Sequence, residues 1–421
     1  MKVLIQDVLV VDPNSSFNRQ RISLSIDNGV ISKIAVKIPR TGFDTIIDGS
    51  KKYVSPGWFD LRVTTGDPGF EHRETLESAS KAAMAGGFTG LALLPNTEPV
   101  IQSKNDVSYL IRATEKMLVD FVPLGAITRN TKGLELTEML DLSEAGAEGF
   151  TDGCQPIWHS GILTKALQYL QKINKVLINQ SHDPYLSFEG VVSEGVNSTL
   201  KGLKGIPHLS EELAISRDLD ILRYAGGRLH FSTLSTTKGV DLIRKAKKEG
   251  LNVTADVAAH HLVFTDATVS DIDSKYKVFP PFRLEKDRKA LVKGLADGTI
   301  DCIVSDHQPF EEDMKKQEFD LAAFGSTGLE TSFSVALKGT VDKLDVEQLV
   351  KAFSINPRKI LGLHVPKIEK NEKVNLTVFD TDTKWNYGST KSKSVNSAFL
   401  GDELSGRVAA VLNNSEVYIN Q

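Results

Sequence analysis

Residues 56–69 read PGWFDLRVTTGDPG. Trp58 to Val63 is an apolar run with polar residues emerging near its end, the pattern of a buried strand whose last side chains reach a rim. Side chains two apart on a strand share a face, so Arg62 and Thr64 point the same way. Two histidines at that spacing would both face a barrel axis and could grip one Zn²⁺. Arginine stays protonated with no lone pair to give, and a threonine hydroxyl is a poor ligand for a borderline-soft ion.

Working outward, strand-like runs end near Val63, Leu94, Ile127, Phe150, Ile178, Leu234, Val257 and Val304, each followed by a segment able to form a helix. Eight such units between Pro56 and Leu363 predict an α/β chain built on a (β/α)8 barrel, with its site at the C-terminal strand ends. Arg62, Asn96, Asp152, Gln180, Thr233 and Asp306 all fall at such ends. The flanks differ. Met1–Tyr53 alternates apolar and polar residues with Asn and Gly turns, and 375–379 and 406–419 are strand-like too. The expected organisation is a small β-sandwich from residues 1–55 with 366–421, around a barrel domain at 56–365.

With 421 residues, 40% hydrophobic and 25% charged, the composition is that of an ordinary globular protein, large enough for one big core and a smaller module. A net charge of −4 argues against nucleic acid or a membrane surface as the main partner. Two cysteines, Cys154 and Cys302, cannot make a disulfide scaffold, and no signal peptide or long apolar span is visible, so the expectation is a cytoplasmic protein. Gln308–Ala323, polar and charged, is the expected mobile loop on the site face.

The stretch PGWFDLRVTTGDPGFEHRETLESASKAAMAGGFTGLALLPNTEPV resembles the opening of a dihydroorotase of the amidohydrolase superfamily. VNSTLKGLKGIP, RDLDILRYAGGRLHFSTLS, VTADVAAHHLVFTD, FPPFRL, IDCIVSDHQP, FGSTGLET, INPRKILGL and SKSVNSAFLGDELSGRV follow in the family's order. The resemblance covers nearly the whole chain and implies the amidohydrolase barrel with its terminal β-sandwich. It implies zinc held by a His-x-His pair at the positions of Arg62 and Thr64, by histidines at Gln180 and Thr233, and by a bridging carboxylate at Asp152 or, in the gapless register, Gly153. None of the four histidines is present. Asp306, ligand and proton shuttle in the family, is kept. The family's carboxylate-binding arginine falls on Gly66. Of its helpers, the asparagine survives as Asn96, while the others fall on Phe279 and Phe310.

The resemblance therefore implies a noncatalytic dihydroorotase homologue, needing no cofactor, that serves pyrimidine biosynthesis as a structural partner of aspartate transcarbamoylase and forms a homodimer. The alternative is an active, zinc-dependent dihydroorotase interconverting N-carbamoyl-L-aspartate and dihydroorotate. Asp306 reads as an orphaned catalytic position, and Arg62 is expected to pair with Asp306 or Asp152, because an unpaired buried guanidinium is very costly. His182, Asp152 and Asp306 could rebuild a metal site only if the shift of two residues were accommodated. His260 and His261 read as packing residues, and Cys154 as structural, with no basic neighbour evident to activate it. Ser305, Asp306 and His307 adjoin on one strand and diverge.

Overall fold

The structure, a computed structural model, describes residues 1–420, with Ser270 and Asp271 described by backbone alone. Eight parallel strands pair in sequence order: Trp58–Val63, Phe88–Leu93, Asp120–Gly125, Gly149–Thr151, Val176–Asn179, Leu229–Phe231, Val253–Ala258 and Cys302–Val304, hereafter strands 1 to 8. Strands 1 and 8 meet across the seam, where Val63 bridges His307 and the Ser305 N–H donates to Asp60 Oδ2 at 2.9 Å. Helices such as Leu76–Gly86, Ser160–Lys172, His208–Ala225 and Thr237–Lys248 follow the strands and bury one face each. This is the barrel that the strand count predicted. Strand 6 ends earlier than expected, at Phe231, so Thr233 lies beyond it.

The first helix shows how the local sequence sets a βαβ unit. Thr75 caps its N-terminus in a reciprocal box with Ser78, and Gly87 closes it in the left-handed region at φ 92°. A Cβ at Gly87 would lie 2.6 Å from the Trp58 ring, so glycine is required twice over.

The terminal strands join in one eight-stranded sheet, in which Tyr53–Pro56 pairs antiparallel with Asn375–Asn386 and so ties the two ends of the chain. Ile31 at one edge and Leu412 near the other belong to the same buried cluster, so the sheet folds over its own core in the manner of a sandwich. Trp58 links this module to the barrel floor. Its ring lies 4.7 Å from Phe333, 5.2 Å from Phe379 and 5.6 Å from Phe353, and its Nε1–H donates to Ser55 Oγ.

The loop expected to be mobile, 308–323, contains a short helix at Glu312–Lys315 and a buried anchor. Lys315 Nζ donates to the carbonyls of Ala323 at 2.9 Å and Gly325 at 3.0 Å, which ties the loop to its own return. No helix among the described residues is long and apolar enough to cross a membrane.

Trp58→Ala is expected to cost about 3–5 kcal/mol, read as a lowered midpoint in urea unfolding, because it empties an aromatic cluster shared by both modules.

Candidate functional site

Strand 1 is buried along its whole length, and Arg62 points from it into the barrel with 1% of its surface exposed. Its Nε–H donates to Asp306 Oδ1 at 2.7 Å and an Nη2–H donates to Gln180 Oε1 at 3.0 Å. The Gln308 amide also donates to Asp306 Oδ1, at 2.7 Å. Burial disfavours the guanidinium charge, but Asp306 beside it more than restores it, and the arginine is held even more firmly protonated than usual. Asp306 sits at φ 50°, a left-handed conformation that costs a non-glycine residue about 1–3 kcal/mol and is maintained by these contacts. The expected Arg62–Asp306 pair is thus formed. The Asp152 alternative is not.

Asp152 turns its carboxylate away from Arg62. Oδ1 accepts from the N–H groups of Ile127 and Thr128 at 3.0 and 2.8 Å, and Oδ2 accepts from the Thr128 hydroxyl. Burial raises its pKa to about 6 against these hydrogen bonds. At Gly153 the backbone has φ 65°, and a Cβ would lie 1.7 Å from Asn96 Oδ1, so this position has no room for a carboxylate side chain. Asn96 reaches the cavity, but its amide is engaged by the Asp152 carbonyl at 3.2 Å and the Cys154 N–H at 3.0 Å. Thr64 spends its hydroxyl on the His307 carbonyl at 2.8 Å. Thr233 Oγ1 is buried without a hydrogen-bond partner, as are Arg62 Nη1, Asp306 Oδ2 and His260 Nε2.

The histidines near the site do not converge on a single point. His182 packs against Phe279 with ring centroids 4.5 Å apart and planes tilted by 60°, and burial pulls its pKa down to about 4. His260 Nε2 lies 3.8 Å from Asp306 Oδ2, beyond hydrogen-bond reach. Burial, helped by the nearby Arg62 charge, pulls His260 to about 3, so this contact is not an ion pair. His261 donates its Nε2–H to the Pro280 carbonyl at 3.0 Å and packs on Phe282. His307 points out of the barrel to Glu74, with Nε2 3.2 Å from Oε2, so Ser305, Asp306 and His307 do not converge. Cys154 needs one correction, since Arg62 is a basic neighbour; burial nevertheless raises its thiol above the ordinary range, and it is no activated nucleophile.

A cavity of about 460 Å³ opens above this floor at the C-terminal strand ends, lined by Gln180, His182, Gln308, Asn96 and Cys154 below and by Phe70, Phe279, Phe310 and Phe324 around its walls. Gly66 lines it too, and a Cβ there would lie 1.9 Å from the Phe70 carbonyl. The lining cation is instead Arg73, stacked over Phe70 at 4.6 Å and Phe310 at 5.0 Å and paired with Glu311 at 2.8 Å. Sequence reasoning missed Arg73 and Glu74; only FEHRET, at 70–75 just beyond the Arg62–Gly66 rim, carried a hint.

This donor set does not fit a zinc ion. One position offers a guanidinium that is itself a cation, one an amide, two offer hydroxyls, Gly153 has no side chain, and Asp306 Oδ1 is already committed to Arg62 and Gln308. Among the described residues no group of three or more His, Cys, Asp or Glu is placed to hold a metal.

Arg62→Ala is expected to destabilise the fold by about 3–5 kcal/mol, while Arg62→Met combined with Asp306→Leu restores most of that loss, as denaturant titration of the wild type and the two variants would show. His260 gives a pH signature. Its ordinary pKa of 6.5 falls to about 3 in the fold, so the unfolded chain binds the proton first. The stability it contributes is complete above pH 6.5 and is lost as pH falls toward 3, by up to ~1.4 kcal/mol per pH unit. His260→Gln should flatten the measured stability–pH curve in that window.

A family model described as dihydro-orotase-like matches residues 51–239, and one described as amidohydrolase family matches 195–417. Among curated relatives, a dihydroorotase of Geobacter sp. (strain M21) is 39% identical, covering 99% of each chain. A dihydroorotase of Pelotomaculum thermopropionicum is 39% identical over 96% of each. Among solved structures, an L-hydantoinase (dihydropyrimidinase) from Arthrobacter aurescens superposes with a TM-score of 0.85 at 24% identity, covering 99% of this chain and 96% of that one. A dihydropyrimidinase from Brevibacillus agri gives 0.81 at 18%, covering 100% and 95%; these two likenesses concern the fold. Full-length identity at this level, on a barrel of this topology, means that the chain belongs to the dihydroorotase family of amidohydrolases.

Proposed function

We propose that this chain serves de novo pyrimidine (UMP) biosynthesis by binding rather than by catalysis, as a cytoplasmic structural partner of aspartate transcarbamoylase that needs no metal. The observation that carries this reading is the Arg62–Asp306 pair, which places a fixed positive charge among the positions where the family resemblance puts zinc ligands. A guanidinium there neutralises Asp306 but cannot lower the pKa of a bound water, the step for which such hydrolases use a metal. Gly66 supports the same reading, because the backbone closes over the position from which the family binds its substrate carboxylate. Fold and site are separable, so the barrel keeps its core and its surfaces without its chemistry. The partner itself is inferred from the resemblance to dihydroorotase homologues that lack the metal ligands.

A second reading has its own support. The open cavity of about 460 Å³ and relatives named dihydroorotase along the full length favour a hydrolase interconverting N-carbamoyl-L-aspartate and dihydroorotate, with zinc held by some other set of residues.

The two readings separate in one set of measurements. Purified protein is assayed in both directions with and without added Zn²⁺, its metal content is determined, and it is used to capture aspartate transcarbamoylase from the same organism. The proposal expects no turnover, no stoichiometric zinc and a defined complex. Turnover with one or more bound zinc ions per chain would establish the hydrolase instead.

A further inference from the structure

The cavity of about 460 Å³ at the barrel mouth falls within the range of roughly 300–1,000 Å³ that small-molecule sites occupy. What it would hold follows from which of its groups are spent and which are free. The charges are spent. Asp306 is buried beneath the floor and committed to Arg62, and Arg73 at the rim is paired with Glu311. Among the described residues, no Asp, Glu or Lys lines the cavity. An entering anion would have to displace Glu311 to reach a cation, and an entering cation would find no free carboxylate; a charge left unpaired there is costly.

Three polar groups keep hydrogen-bonding capacity. Gln308 gives its amide N–H to Asp306 Oδ1, and its Oε1 has no partner among the described residues. Gln180 accepts from Arg62 through Oε1, while its Nε2 lies 3.4 Å from the Phe279 carbonyl, long for such a bond, so this amide still has an N–H to give. His182 sets Nδ1 3.3 Å from the Gln180 carbonyl. A ring nitrogen facing a carbonyl carries the proton, which leaves Nε2 as an acceptor, and with its pKa pulled down to about 4 by burial the ring is neutral. Around these groups stand aromatic rings. Phe279 packs against His182 and lies 5.7 Å from Phe324, and Phe70 and Phe310 both lie under the Arg73 guanidinium.

Two acceptors and one donor among aromatic walls complement a primary carboxamide on a flat ring, whose –NH2 has two N–H groups to give and whose carbonyl accepts one. A carboxylate in its place would set its oxygens against two acceptors. An ammonium would leave the Gln180 N–H without an acceptor and bring an unpaired charge inside. The geometry points to the barrel mouth as a binding site for an uncharged aromatic carboxamide, with its ring among the four phenylalanines and its amide on Gln308, His182 and Gln180. This inference rests on the reading of the mouth as a site that binds without catalysis, and it names the chemistry of what is bound.

The test is isothermal titration of the full chain, without added metal and near neutral pH, with three probes that share one ring: benzamide, benzoate and benzylamine. Benzamide should bind with a Kd of about 1 mM or lower, and the two charged probes ~10-fold or more weakly. His182→Phe keeps an aromatic ring and removes the acceptor. It should weaken benzamide ~10-fold, leave benzoate no weaker and leave the unfolding temperature unchanged. Benzoate or benzylamine binding as tightly as benzamide, no benzamide binding up to its solubility limit, or benzamide binding indifferent to His182→Phe would each overturn the proposal. The ranking of probes on the wild type needs no variant to fold. Zinc content, turnover and capture of aspartate transcarbamoylase test the proposed function separately, so either reading can fail while the other stands.

Discussion

The seam between strands 1 and 8 is the constraint on which the site depends. A barrel closes only if its first and last strands meet in register, and here they are joined by polar contacts running from the interior to the rim. Asp60 accepts from the Ser305 N–H and, buried, has its pKa raised to about 6. Arg62 reaches Asp306, and Thr64 bonds to the His307 carbonyl through both its N–H and its hydroxyl. His307 in turn is held by Glu74, whose carboxylate also accepts from Ser392 in the C-terminal segment. Burial works against the Glu74 charge, but His307 and the hydroxyls outweigh it, so its pKa is lowered. The contacts around Arg62 and Asp306 therefore form a structural joint that closes the cylinder.

Much of this could be read from the residues in order. Strand ends came within three residues of their observed positions because each buried run is bounded by a change in periodicity. Arg62 pairing with Asp306 followed from the cost of an isolated buried cation and from both lying at strand ends. What could not be read were directions. Asp152 is at its expected strand end, yet its carboxylate caps the turn at Ile127 and Thr128, and nothing in FTDGC signals that. Arg73 lies on a loop whose path is set by the contact between Gly66 and Phe70, a tertiary matter. The anchoring of 308–323 rests on Lys315, which in the sequence looks like any solvated lysine. Its burial without a carboxylate partner is visible only once three carbonyls are seen to surround it.

The cavity and the segment between strands 5 and 6 are physically different surfaces. The cavity is aromatic in its walls and amide-lined below, and its charge is confined to Arg73 at the rim and to the sealed pair beneath. The segment carries a short helix, Val196–Lys201, on which Val196 and Leu200 are exposed. A protein that keeps its core while its site changes remains free to use either surface, since neither contributes the barrel's main packing.

The glycines at 66 and 153 make the residues of the site depend on one another. A histidine placed at position 62 alone would strand Asp306 without its cation, while the Phe70 carbonyl would still block a side chain at position 66 and Asn96 would still fill the space beside Gly153. Each such change is therefore unfavourable until the others have been made. Only a coordinated set of changes, such as a designer makes and drift does not, would build a set of metal-binding side chains here.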